Sequence, residues 1–202
     1  MSDYPKTLGD QKNIQERLSM LYNNNVRDLT EYVKDLRDRY RLDKEIPYFD
    51  PFDGGVFAKS LFILEAPGPN AVKSGFISRN NPDETAKNVF ELLNELEILR
   101  ADTVLWNIVP WYIGSGDKIR PANRNDIEEG YKCLDELIRI LKYIKVIVLV
   151  GLKAQKIEKH IINRYDNIKI IKTFHPSPLY INNKKENRGI LIQQLEEIKK
   201  YI

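Results

Sequence analysis

The hydrophobic rhythm of the chain changes near residue 59. Before it, apolar residues recur at helical spacing: Leu18, Leu21 and Tyr22 in a first segment, then Val26, Leu29, Val33, Leu36 and Tyr40. Asp28, Lys34, Asp35 and Arg37 fall on the other side, so this stretch reads as amphipathic helix. Residues 46–55, IPYFDPFDGG, break both the helix and the strand pattern through Pro47, Pro51, Gly54 and Gly55. Their aromatic rings belong either in the core, the commoner place, or along a cleft.

After residue 59, short apolar runs alternate with amphipathic ones. Residues 60–64 (SLFIL), 103–108 (TVLWNI), 146–150 (VIVLV) and 168–173 read as strands, and the third is hydrophobic throughout, as a strand buried on both faces should be. Residues 81–96, 126–143, 153–163 and 185–201 read as helices. For the first of these, Asn81 is a candidate cap, Pro82 suits the first helical position, and Asp83 and Glu84 suit the positive end of the dipole. The order β-α-β-α-β-α-β-α predicts an α/β fold, a three-layer α/β/α sandwich with a mainly parallel four-stranded sheet preceded by N-terminal helices. Residues 1–57 form the helical segment and connector, packed on the same domain, and 58–202 the α/β domain.

Open parallel sheets bind ligands beyond the carboxyl ends of their strands. There stand Glu65-Ala66-Pro67-Gly68, Asn107, Gly151 and His175-Pro176-Ser177-Pro178. Glu65, Asn107 and His175 are far apart in sequence, yet this topology gathers them around one cleft. Each has a plainer explanation: a Pro- and Gly-rich turn, a strand-end cap, a structural histidine. The HPSP segment is harder to dismiss, because two prolines stiffen it and remove two N–H donors, so its imidazole and hydroxyl are presented in fixed directions. No G-x-S-x-G elbow, P-loop or G-x-G-x-x-G follows a strand.

Composition narrows the chemistry. The 202 residues carry 32 Lys and Arg against 29 Asp and Glu, a formal charge of +3, so any nucleic-acid face must be a local patch. One cysteine, Cys133, excludes an internal disulfide and any four-cysteine zinc or iron–sulfur site, and two histidines exclude a three-histidine zinc centre. The expectation is a protein with no metal and no cofactor. The polar N-terminus and the lack of an apolar run approaching about 20 residues predict a soluble, cytoplasmic protein with no membrane partner.

The rim residues resemble the motifs of the uracil-DNA glycosylase superfamily. Leu64-Glu65-Ala66-Pro67-Gly68 is similar to its first motif in the form G-E-A-P-G, and His175-Pro176-Ser177-Pro178-Leu179 to its second. Phe76 resembles the aromatic on which an extruded base stacks, and Asn107 the residue that reads the pyrimidine edge. The resemblance runs from about Lys59 to the C-terminus. It implies a monomeric, monofunctional glycosylase that acts on DNA containing uracil or a related damaged base and releases the free base. Glu65 and His175 would be catalytic. Ala66, Pro67, Phe76 and Asn107 would hold the base, with Ser78 and Asn88 in supporting positions. Ser177, Leu179, Lys184, Lys185 and Arg188 would contact DNA, with Leu179 or Tyr180 as the wedge. The chain departs from the family pattern at Leu64, where glycine is usual, and at Ala66, where the best-known branch has a water-orienting Asp. It also lacks the four cluster cysteines usual with E-A-P-G. Two rival readings remain: a non-catalytic nucleic-acid-binding member, and a protein that binds or hydrolyses free nucleosides or nucleotides.

Overall fold

The computed structural model describes residues 3–42 and 45–202; Met1, Ser2, Asp43 and Lys44 of the expected 1–57 segment lie outside the described residues. The chain opens with α1 (Gln11–Ser19), capped by the Asp10 carboxylate, and α2 (Arg27–Tyr40). The connector contributes β1 (Tyr48–Phe49). There follow β2 (Ser60–Leu64), α3 (Pro69–Ser74), β3 (Phe76–Ile77), α4 (Glu84–Glu95) and β4 (Thr103–Asn107). A hairpin, β5 (Gly114–Ser115) with β6 (Lys118–Ile119), precedes α5 (Arg124–Ile140). The chain closes with β7 (Val146–Val150), α6 (Gly151–Ala154), α7 (Glu158–Ile162), β8 (Lys169–Thr173), α8 (Pro178–Ile181) and α9 (Asn187–Glu196).

Four strands form one sheet in the order β4-β2-β7-β8, every pair parallel. Leu64 pairs with Asn107 and Val150 with Thr173, so the four carboxyl ends share one rim. The two faces are covered by different helices, because strand side chains alternate. Phe62 and Val150 meet Val89, Leu92 and Leu93 of α4 and Leu191 and Leu195 of α9. On the other face the Trp106 ring stacks on Phe49 at 4.0 Å and lies 6.0 Å from Tyr32 of α2, whose hydroxyl donates to the Cys133 carbonyl of α5. The architecture is therefore α/β/α, as the alternation predicts.

The N-terminal segment does more than cover that face. Leu8, Leu21 and Phe76 form a small apolar cluster. The Leu8 N–H donates to the Asn80 carbonyl, and Arg17 donates to Asp50 and Asn80. Residues 76–81 are thus backed by the N-terminal helices. Some boundaries differ from the sequence reading. Helix α4 starts at Glu84 because Asp83, not Asn81, accepts the Ala86 N–H; the Asn81 amide donates to the Phe76 carbonyl and accepts from Ser74. The expected helix 153–163 is interrupted by a 3-10 turn over Gln155–Ile157. The β1–β3 pair and the β5–β6 hairpin, only two residues per strand, leave too short a pattern to read. Among the described residues no helix is long and apolar enough to cross a membrane.

Candidate active site

A cavity of about 500 Å³ opens at the carboxyl rim on the α4 face, within the range of roughly 300–1,000 Å³ common for small-ligand sites. Glu65, Ala66, Pro67, Ser78, Asn107 and His175 all line it. Three of them come from the ends of β2, β4 and β8, so the parallel topology alone brings them together.

Asn107 ends β4 and is 4% exposed. Its side-chain amide has no hydrogen-bond partner among the described residues, although neighbouring buried amides such as Asn80 and Asn81 are fully engaged. The Asn107 amide atoms face the cavity, where solvent reaches them, so the group is open to pair with a ligand.

His175 is held by its neighbours in sequence. Gln155 donates to the Thr173 carbonyl at 3.0 Å, Gln194 accepts the Phe174 N–H at 3.2 Å, and Asn88 donates to the Pro176 carbonyl at 2.8 Å. Gly151, with φ of +84°, lets the chain pass under the ring: a Cβ there would lie 3.2 Å from the His175 Cβ. The backbone that carries the imidazole is therefore placed before any ligand arrives. Burial pushes its pKa below the usual value, opposed by the negative charges of Glu65 and Asp83. The ring is neutral at pH 7 and carries one N–H to donate. In an NMR titration its midpoint is expected below 6.5. Glu65→Gln removes a charge that raises it, so the midpoint should fall further. A midpoint at or above the ordinary value, or an upward move in that variant, contradicts this electrostatic account.

Glu65 is tied into the wall. Its Oε1 accepts the Ala122 N–H at 2.6 Å, while Lys153 donates to the Ala122 carbonyl at 2.5 Å. The two side chains clamp the loop that carries Arg120 and Pro121 into the cavity. Ser78 donates to the buried Asp50 carboxylate and accepts the Asn80 N–H, so its hydroxyl shapes the wall.

Phe76 does not stand where the resemblance puts it. Its ring is fully buried against Leu8, Leu21 and Tyr48, and Ile77 lines the cavity instead. The cause is strand parity: β3 pairs with β1, its side chains alternate, and the N-terminal helices supply an apolar seat for the outer one.

The HPSP loop leads into α8, where the Ser177 hydroxyl accepts the Tyr180 N–H at 3.3 Å and keeps its own hydrogen to donate. Leu179 is 86% exposed, whereas Tyr180 stacks on Phe174 at 4.8 Å. Of the two wedge candidates, only Leu179 is free to enter a partner. Lys184 and Lys185 are exposed, while Arg188 is ion-paired with Glu95. Sequence reasoning missed Ile77 and Asp83 as lining residues; Pro82-Asp83 at a helix start was the one visible signal for the second.

A four-cysteine cluster does not fit this chain. Cys133 is buried beside Tyr40, and among the described residues no three His, Cys, Asp or Glu side chains gather to hold a metal.

A Type-4 uracil-DNA glycosylase of Thermotoga maritima is 29% identical over 168 residues, covering 74% of this chain and 81% of that protein. The sequence profile of the Uracil DNA glycosylase superfamily matches residues 51–199, which takes in both motifs and all four strands of the sheet. The chain is a member of the uracil-DNA glycosylase superfamily.

Proposed function

We propose that the protein is a monofunctional DNA N-glycosylase that hydrolyses the glycosidic bond of uracil, or a related damaged base, flipped out of DNA in base excision repair. The observation that carries this reading is the unengaged Asn107 amide beside a fixed, neutral His175 in one cavity. A carboxamide both donates and accepts. It matches the O4 acceptor and N3–H donor of uracil, whereas cytosine offers the reverse pair. As the bond to the sugar breaks, negative charge builds on the base, and the His175 N–H donates to a base oxygen. Ala66 and Pro67 shape the base seat, with Ile77 taking the place expected for Phe76. Glu65 contributes negative charge near the sugar as it gains oxocarbenium character, in addition to closing the wall.

Extrusion of a base costs a few kcal/mol. Leu179 suits the space vacated in the stack, as apolar wedges do in other DNA-kinking proteins. Ser177, Lys184 and Lys185 suit phosphate contacts, which position the duplex without reading its sequence.

Incubation with an oligonucleotide bearing a single uracil, followed by alkali to cleave abasic sites, tests the reading. Strand cleavage at uracil, and none at thymine or ordinary cytosine, is expected. Salt-sensitive DNA binding without cleavage would make the protein a binding member of the family. Neither binding nor cleavage would turn attention to free nucleosides.

A further inference from the structure

We propose that Asp83 is the carboxylate that takes the proton of the attacking water, an assignment that rests on the glycosylase reading above. Among the described residues, four ionisable side chains line the cavity: Glu65, Asp83, Arg120 and His175. Arg120 is a permanent cation, paired with Asp126, and cannot accept a proton. His175 serves the departing base. Glu65, whose Oε1 accepts the Ala122 N–H, is assigned above to the wall and to the charge of the sugar. Ala66, at the position of the water-orienting Asp of the best-known branch, has no charge to offer. Asp83 is what remains, and it reaches the cavity from the start of α4 rather than from a strand end.

Its surroundings suit the task. Asp83 Oδ1 accepts the Ala86 N–H at 2.9 Å, which orients the carboxylate, and backbone N–H groups of the first helical turn leave lone pairs over. Among the described residues no Lys or Arg forms an ion pair with it. Burial pushes its pKa above the usual carboxylate value, against the backbone N–H bonds of Ala86 and Thr85 and the charge of Lys6, with Glu84 adding to the rise. A carboxylate so placed is a stronger base than an exposed one. Its charge reaches His175, so the acid–base pair shares one space.

The step balances as follows. The water oxygen bonds to C1′ as the C1′–N1 bond breaks. The bonding electron pair leaves with N1 of the base, whose negative charge His175 steadies through its donated hydrogen bond. The water proton passes to Asp83, which later releases it to solvent, where the base anion is reprotonated. The products are free uracil and an abasic sugar with a hydroxyl on C1′.

Single-turnover excision of uracil by the full chain tests the assignment, read as rate against pH with thermal melting and abasic-duplex binding alongside. Asp83→Asn keeps a capping side chain, so melting and binding should stay near wild type while the rate falls about a hundredfold or more. The acid limb of the wild-type profile should lose its Asp83 contribution in this variant and keep only that of His175 protonation. Asp83→Ser, which also caps, should lose the same rate, and decides the matter if the Asn protein fails to fold. Glu65→Gln should retain the acid limb. A near-wild-type rate in either Asp83 variant, or an acid limb that is unchanged at Asp83→Asn and reduced at Glu65→Gln, overturns the proposal. A wild-type protein that excises nothing overturns the glycosylase reading itself, a different outcome from excision that ignores Asp83.

Discussion

His175→Ala is expected to lower the single-turnover rate of uracil excision by about 10²–10³, the usual cost of deleting one donor aimed at developing negative charge. Melting and DNA affinity should change little. The residues that fix this part of the chain act through backbone: Gln155, Gln194 and Asn88 bond to Thr173, Phe174 and Pro176 whether or not a ring is present between them. Gly151 leaves room for the imidazole, so its removal opens space next to the cavity and does not collapse the rim. The effect should therefore fall on the chemical step. His175→Asn, which restores an N–H donor, should recover part of the rate. Excision by the alanine protein at a near-wild-type rate would remove this residue from the mechanism.

The neutral state matters to that expectation. A buried imidazolium would pay a desolvation cost and would pair with Glu65 and Asp83. A neutral ring instead forms no ion pair with either carboxylate and still donates once. The lowered pKa and the two acidic side chains on the same cavity are consequences of one arrangement, in which burial outweighs their attraction for a proton.

What was legible in the sequence, and what was not, follows from the range of the interactions. The strands 60–64 and 146–150 are continuous apolar runs, and the short turns after them fix where Glu65 and Gly151 emerge. Periodicity alone therefore located the rim, and with it Asn107 and His175. Phe76 was misplaced because the facing of a two-residue strand depends on what covers it, here Leu8 and Leu21 from a segment more than fifty residues earlier. Asp83 was legible as a helix-start residue but not as a cavity residue, since the sequence offered Asn81 as the cap, whereas its amide engages Phe76 and Ser74. Asp50 and Asp53 of the connector gave no sign of their partners, because Arg17, Arg79 and Arg100 reach them only through the fold.

That buried cluster carries the largest expected effect on stability. Asp50 is fully buried and accepts four donors: Arg17 Nε at 3.0 Å and the Phe52 N–H at 3.0 Å on Oδ1, Arg100 Nη2 at 2.8 Å and the Ser78 hydroxyl on Oδ2. Burial alone would push its carboxyl up; Arg100, Arg17, Ser78 and Phe52 outweigh it and hold the pKa below the usual value. Asp50→Ala removes the ion-pair partner of Arg17, which is 1% exposed, and one of the three carboxylates on Arg100, and should cost about 3–5 kcal/mol. For a chain of this size that is a fall in melting temperature of roughly 6–20 °C. Residues 77–81 should loosen with it, because Ser78 and Arg17 hang the cavity wall on this carboxylate. Asp53 is the contrasting case. Its Oδ2 has no partner, and burial pushes its pKa up to about 6 despite Arg100 and Arg79. The folded chain therefore binds a proton there that the unfolded chain has lost between about pH 4 and 6, so this group's contribution to stability falls as pH rises through that window. Asp50 works in the opposite sense: its contribution is present above the ordinary carboxylate value and is lost as pH drops through its depressed one. Asp53→Asn should thus cost much less than Asp50→Ala at pH 8 and should flatten the slope between pH 4 and 6. Thermal melts of both variants across that range check the pair, and equal losses at pH 8 would mean that the cluster acts as an undivided charge pool rather than through Asp50.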